Sequence, residues 1–159
     1  MDDGSTTNVF VYGTLKKGFY NYKTYLQLAI DKEKAEFVSN GTTSLPYRLV
    51  IADGRKVPCL LNVAQEGNHV HGEIYQLTDS VLAGLDVLEG ISTGFYYRQQ
   101  IEIQVANQQL ITCWVYFIKS IDEDMLTAPC FDDYTAELHH QYLPRDPIPN
   151  PTILSLMSE

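Results

Sequence analysis

Between residues 35 and 77 four short segments rich in strand formers succeed one another, at 35–42, 47–52, 57–63 and 69–77, each closed off by Gly, Pro, Asn or Asp. No helical period separates them, and this grouping excludes the regular strand–helix alternation of a doubly wound parallel fold. Two further strands follow. Ile101, Ile103 and Val105 alternate with Gln100, Glu102 and Gln104, the pattern of a strand wet on one face, and residues 109–118 run apolar on both faces. Asn107-Gln108 falls where a hairpin turn would join them, without the Gly of the strongest turn pairs. Ahead of all these, residues 8–12 (Asn-Val-Phe-Val-Tyr) read as a buried strand that stops at Gly13. Pro58 marks an edge or a bulge.

Helical periodicity occurs in two places. Tyr22, Tyr25, Leu26 and Ala29 fall at i, i+3, i+4 and i+7, which predicts a short amphipathic helix over 21–30. Thr78 can cap a helix over 78–89, with Asp79 in its first turn and Gly90 as its stop signal. About seven strands against two helices predict an α+β chain: a small mixed, mainly antiparallel β-barrel flanked by two or more helices.

The chain has 159 residues, enough for one core. A single domain over 8–143 is expected, and the four prolines from Pro144 to Pro151 predict a non-helical strap or loose tail over 144–159. Eleven basic against twenty acidic side chains leave a charge of -9, which repels both a phosphate backbone and an anionic membrane surface. No apolar run approaches the ~20 residues of a membrane span. A soluble, cytoplasmic monomer is expected, with neither nucleic acid nor membrane as partner. Three widely spaced cysteines, Cys59, Cys113 and Cys130, suggest buried thiols rather than a disulfide framework or a zinc site.

Dinucleotide, phosphate-loop, serine-elbow and zinc-protease signatures are absent from the sequence. His69 with His71, or His139-His140 with Asp132-Asp133, could be drawn as a metal site, and a Cys paired with His139 or His140 as a nucleophile. Solvated histidines explain the same letters. Two features carry more. A buried strand that ends in Tyr12-Gly13-Thr14-Leu15 presents successive backbone N–H groups, a cradle for a carboxylate or an oxyanion; an ordinary turn is the competing reading. Glu89 borders the stripe of Val81, Leu82, Leu85 and Leu88 at the helix end. There a carboxylate would be partly desolvated, with a pKa lifted toward neutrality, and Asp86 one turn earlier would lift it further. The competing reading is a carboxylate turned outward to water.

Taken together, these segments resemble the gamma-glutamyl cyclotransferase-like family, most closely its gamma-glutamylamine cyclotransferase branch. The resemblance rests on Val-Phe-Val-Tyr12-Gly13-Thr14-Leu15-Lys16-Lys17-Gly18 with Asn21 behind it, on Leu85-Asp86-Val87-Leu88-Glu89, and on Gly72-Glu73-Ile74-Tyr75 and Trp114-Val115-Tyr116. It spans roughly residues 8 to 137. It implies a small β-barrel flanked by helices, substrate binding by Tyr12, Gly13, Thr14 and Leu15, and Glu89 as catalytic acid/base. It further implies a small gamma-glutamyl substrate that closes on itself to 5-oxoproline, with no metal or cofactor. Phe19-Tyr20 departs from the pattern by its bulk; overhanging a pocket, it would alter the accepted leaving group. Rival readings are a cyclotransferase for gamma-glutamyl amino acids, glutathione or another gamma-glutamyl metabolite, a catalytically silent binding module, and an interaction protein that uses the tail.

Overall fold

In the computed structural model, which describes residues 6–52, 54–63, 66–146 and 148–159, the first strand, β1 (Thr6–Val11), is the seam of a closed barrel. It pairs antiparallel with β5 (His71–Thr78) on one side and parallel with β7 (Leu110–Ile118) on the other, through Val9 and Trp114. Closure runs β1-β5-β2-β6-β7, with β2 spanning Ala35–Thr43 and β6 spanning Tyr96–Gln104. A separate hairpin of β3 (Arg48–Ala52) and β4 (Val57–Leu61) holds Pro58 opposite Ile51, in a two-stranded sheet where every strand is an edge. The expected barrel is therefore present.

Alternation along β1 divides its side chains between two clusters. Val9 and Val11 join the helices; Phe10 and Tyr12 join Ile74, Ile103, Val115 and Phe117. Gly13, where β1 ends, is thus fixed from both faces.

Residues 21–30 do not form one regular helix. Tyr22–Leu26 is a π-helical turn that passes into α1 (Gln27–Asp31), and the wider turn buries Tyr22, Tyr25 and Leu26. The predicted helix over 78–89 appears as α2 (Asp79–Leu88), and the Thr78 side chain accepts the N–H of Val81 as its cap. The β6–β7 hairpin turns through Asn107 and Gln108, both with positive φ of 62° and 61°.

Three helices were not expected. α3 (Glu123–Thr127) and α4 (Ala136–His139) are single turns capped by Asp122 and Thr135. The third corrects the reading of the C-terminal segment as non-helical: α5 (Pro151–Ser158) buries Ile153 and Met157 against α2. The Asn150 side chain accepts the N–H groups of Thr152 and Ile153, and Pro151 occupies the first helical position. There a proline's missing N–H is no loss, since that group would be unbonded anyway.

Candidate active site

A tight turn follows β1. The N–H of Lys16 donates to the carbonyl of Gly13, and the carbonyl of Thr14 accepts the N–H groups of Asn21 and Tyr22. Asn21, buried, also donates its side-chain amide to the Thr14 hydroxyl at 2.7 Å. Among the described residues, the N–H groups of Gly13, Thr14 and Leu15 donate to no other backbone group, and all three residues line a cavity of about 80 Å³. Gly13 does not have the positive φ that the turn could have required. Its constraint is space: a Cβ there would lie 2.8 Å from Cγ of Pro58.

Across the cavity stands Glu89, the residue that ends α2. Gly90, at φ +69°, donates to the carbonyl of Val87, and Ile91 donates to that of Asp86. This pair of bonds is a Schellman closure, which pins the backbone on either side of Glu89. Burial pushes the carboxyl up to about 7; Arg145 pulls it down, and Asp86 adds a smaller upward push. The negative end of the helix dipole acts in the same direction as burial.

The two acidic side chains of this helix end have opposite surroundings. Asp86 accepts a bidentate pair from Arg98, at 2.9 and 3.2 Å, and the Tyr116 hydroxyl at 2.7 Å, while Arg98 lies over the Trp114 ring. The carboxyl of Glu89 has no hydrogen-bond partner among the described residues and opens on the cavity. One carboxylate is therefore committed to structure and the other is available to exchange a proton.

Tyrosines complete the wall. Tyr12 donates its hydroxyl to the carbonyl of Tyr116 at 2.7 Å, and Tyr96 donates to the carbonyl of Pro58 at 2.8 Å. Burial, and after it neighbouring acidic groups including Glu89, keeps both phenols protonated. Tyr20, Asn21 and Tyr142 stand on another side, with Arg55, Arg145 and Asp146. Of the Phe19-Tyr20 pair, only Tyr20 lines the cavity; Phe19 packs against Tyr134 and His139.

The turn and Glu89, singled out from the sequence, line one cavity, and so do Arg55, Tyr96, Tyr142, Arg145 and Asp146, which the sequence did not single out. No local pattern signals them, because strap and barrel meet only in the folded chain. The residues of the alternative sites lie apart. Cys59 and Cys113 are fully buried, and burial pushes the Cys113 thiol up to about 12. His69 bonds the carbonyl of Thr43, His71 stands exposed beside Asp132, and His139 is held by Tyr20 and Tyr134.

With this geometry in view, the comparisons are informative. The family model for gamma-glutamyl cyclotransferase, AIG2-like, matches residues 9–136. The chain belongs to the AIG2-like gamma-glutamyl cyclotransferase family. It is 39% identical to gamma-glutamylaminecyclotransferase A of Danio rerio over 131 residues, covering 81% of this chain and 80% of the relative. The gamma-glutamylaminecyclotransferase of Bos taurus is 33% identical over 146 residues, covering 90% and 85% respectively. The crystal structure of an AIG2-like protein from Mus musculus superposes with a TM-score of 0.78 at 32% identity, over 89% of this chain and 97% of that one. Among the described residues, no helix is long and apolar enough to cross a membrane.

Arg145 offers a direct test of the electrostatics. Its guanidinium donates to the carbonyl of Leu88 and holds the Glu89 carboxyl down. In Arg145→Gln the pKa of Glu89 should rise, and any acid limb of a kcat/KM profile that reports this carboxyl should move to higher pH. Because Arg145 is exposed, the displacement should shrink as salt screens the wild-type pair. A pH titration at low and high ionic strength checks both.

Proposed function

We propose that this chain is a gamma-glutamylamine cyclotransferase in which Glu89 is the acid/base residue and residues 12–15 hold the substrate. The observation that carries the reading is one cavity lined by a carboxyl lifted to about 7, without a hydrogen-bond partner among the described residues, and by Gly13, Thr14 and Leu15, whose N–H groups donate to no other backbone group among the described residues.

The reaction is intramolecular. The α-amine of the gamma-glutamyl group attacks its own γ-carbonyl, a C–N bond closes the five-membered ring, and the bond to the departing amine breaks. At neutral pH the α-amine carries an extra proton and is not nucleophilic. Glu89 as carboxylate takes that proton before the attack and passes it to the departing nitrogen. The ring nitrogen sheds a second proton as the lactam forms, and Glu89 relays that one too, so the products are 5-oxoproline and the amine as its ammonium, with no net proton change at Glu89. Folding the substrate into its attack geometry supplies much of the acceleration, since both reacting groups belong to one molecule. The N–H groups of the turn complement an anionic oxygen, the α-carboxylate at rest or the oxyanion as it forms.

Arg55, Arg145 and Asp146 supply charges of both signs along the rest of the cavity. That mixture suits a leaving amine with its own carboxylate and ammonium, as in epsilon-(gamma-glutamyl)-lysine. Release of 5-oxoproline should therefore be faster from epsilon-(gamma-glutamyl)-lysine than from gamma-glutamyl-alanine or glutathione. A panel of the three, followed by chromatography, tests it; equal or better turnover of either competitor would assign the chain to a different substrate class.

A further inference from the structure

The bulky pair beyond the turn is held by a single ring. His139 accepts the backbone N–H of Tyr20 at Nε2, at 3.0 Å, and its Nδ1 lies 2.8 Å from the Tyr134 hydroxyl. A backbone N–H can only donate, so Nε2 is unprotonated and the ring proton sits on Nδ1, donated to Tyr134. The same ring packs on Phe19, with centroids 4.7 Å apart, and stacks on Tyr142 at 5.3 Å and 17°. Tyr20 and Tyr142 both line the cavity, 6.0 Å apart by ring centroids, and Asn21 donates its side-chain amide to the Tyr142 hydroxyl at 3.4 Å. Tyr142 in turn leads directly into the strap that carries Arg145 and Asp146.

We propose that His139 is the positioning residue for the leaving amine: in its neutral form it holds Tyr20 and Tyr142 in contact with each other, as one aromatic wall against which the departing amine's chain lies. The inference rests on the function proposed above. The gamma-glutamyl end is common to all substrates of the class and is accounted for by the turn and Glu89. What differs between substrates is left for the opposite, aromatic wall.

Protonating His139 places a second N–H against that of Tyr20, so the clamp holds only the neutral ring. The surroundings favour that form. Burial first, then Lys23 from the π-helical turn, hold the pKa of His139 below its ordinary 6.5. The other groups around the ring are the phenols of Tyr134 and Tyr142. Behind Phe19 lies Lys16, itself paired with Asp133.

Steady-state kinetics of the wild type, His139→Leu and His139→Gln on epsilon-(gamma-glutamyl)-lysine and on gamma-glutamyl-methylamide, across acid to neutral pH, tests the clamp. Leucine removes the acceptor and strands the Tyr20 N–H, so KM for the lysine substrate should rise by about tenfold. KM for the methylamide should change less than twofold. Glutamine offers an oxygen in place of Nε2 and should restore most of the wild-type value. As pH falls through the pKa of His139, KM for the lysine substrate should rise in the wild type relative to His139→Gln, which keeps only the dependence on Glu89 that the two share. The inference fails alone if the wild type is active and leucine leaves KM unchanged, or raises it equally for both substrates. Should the leucine variant not fold, an identical pH dependence of KM in wild type and His139→Gln overturns it. A wild type inactive on both substrates overturns the functional reading, and this inference with it.

Discussion

Glu89→Gln should lower turnover of epsilon-(gamma-glutamyl)-lysine by about 10²- to 10⁴-fold, the range for losing a positioned general base. Glutamine keeps the shape and the hydrogen-bonding capacity but can no longer take the proton from the α-ammonium. Affinity for 5-oxoproline should persist or improve, because the turn is untouched and a charge that repels the substrate's carboxylate is gone. Stability should move the opposite way from a structural carboxylate. The Glu89 carboxyl holds its proton more tightly in the folded chain, with a pKa of about 7, than at its ordinary 4.5. Below 4.5 both states are protonated and the residue is neutral toward folding. As pH rises to 7 and beyond, the folded state carries a destabilisation of at most about 3 kcal/mol. The glutamine variant should therefore melt higher than the wild type at pH 8 and equally at pH 4. Retained turnover in a folded variant would sink the mechanism, and a lower melting temperature at pH 8 would make Glu89 a structural residue.

Gly13→Val should fail in the complementary way, through binding. The new Cβ meets the Pro58 ring at 2.8 and 3.3 Å, and that ring is tied into β4 and cannot swing aside. Either the turn or the hairpin must move, an overpacking cost of about 1–3 kcal/mol. A displaced turn no longer aims its N–H groups at one oxygen. Losing a single hydrogen bond to a charged group, about 1.5–3 kcal/mol, corresponds to a 10- to 100-fold weaker affinity for 5-oxoproline. Calorimetric titration against thermal melts separates the two effects. Unchanged affinity in a folded variant would remove the turn from the binding site.

What could be read from the letters was whatever local chemistry writes locally. The strands of the barrel announce themselves by alternation, and Thr78, the leucine stripe and Gly90 bracket Glu89 well enough to place it at a helix end. The C-terminal segment was misread for a specific reason. Pro151 was counted with Pro144 and Pro149 as a breaker, whereas after Asn150 it opens a helix, and Ile153 and Met157 four apart were the available signal. His139 reads from the sequence as a solvated histidine because its partners, Tyr20 and Tyr142, are brought to it by the fold. Arg55 and Arg145 had no signal at all: one comes from the β3–β4 turn and the other from the strap, and only the fold brings both to one cavity.

That strap gives the cavity an unusual place in the order of synthesis. Its first wall, residues 12–15, is made long before β1 can find its parallel partner at Trp114, and the opposing wall, from Tyr142 to Asp146, comes about thirty residues after that partner. A nascent chain halted after β7 has every described strand and the candidate base, but lacks the cavity wall from Tyr142 to Asp146. The cavity is thus closed only after the barrel, and an assay of 5-oxoproline binding on fragments of increasing length should see affinity switch on as residues 142–146 are added rather than accumulate with length.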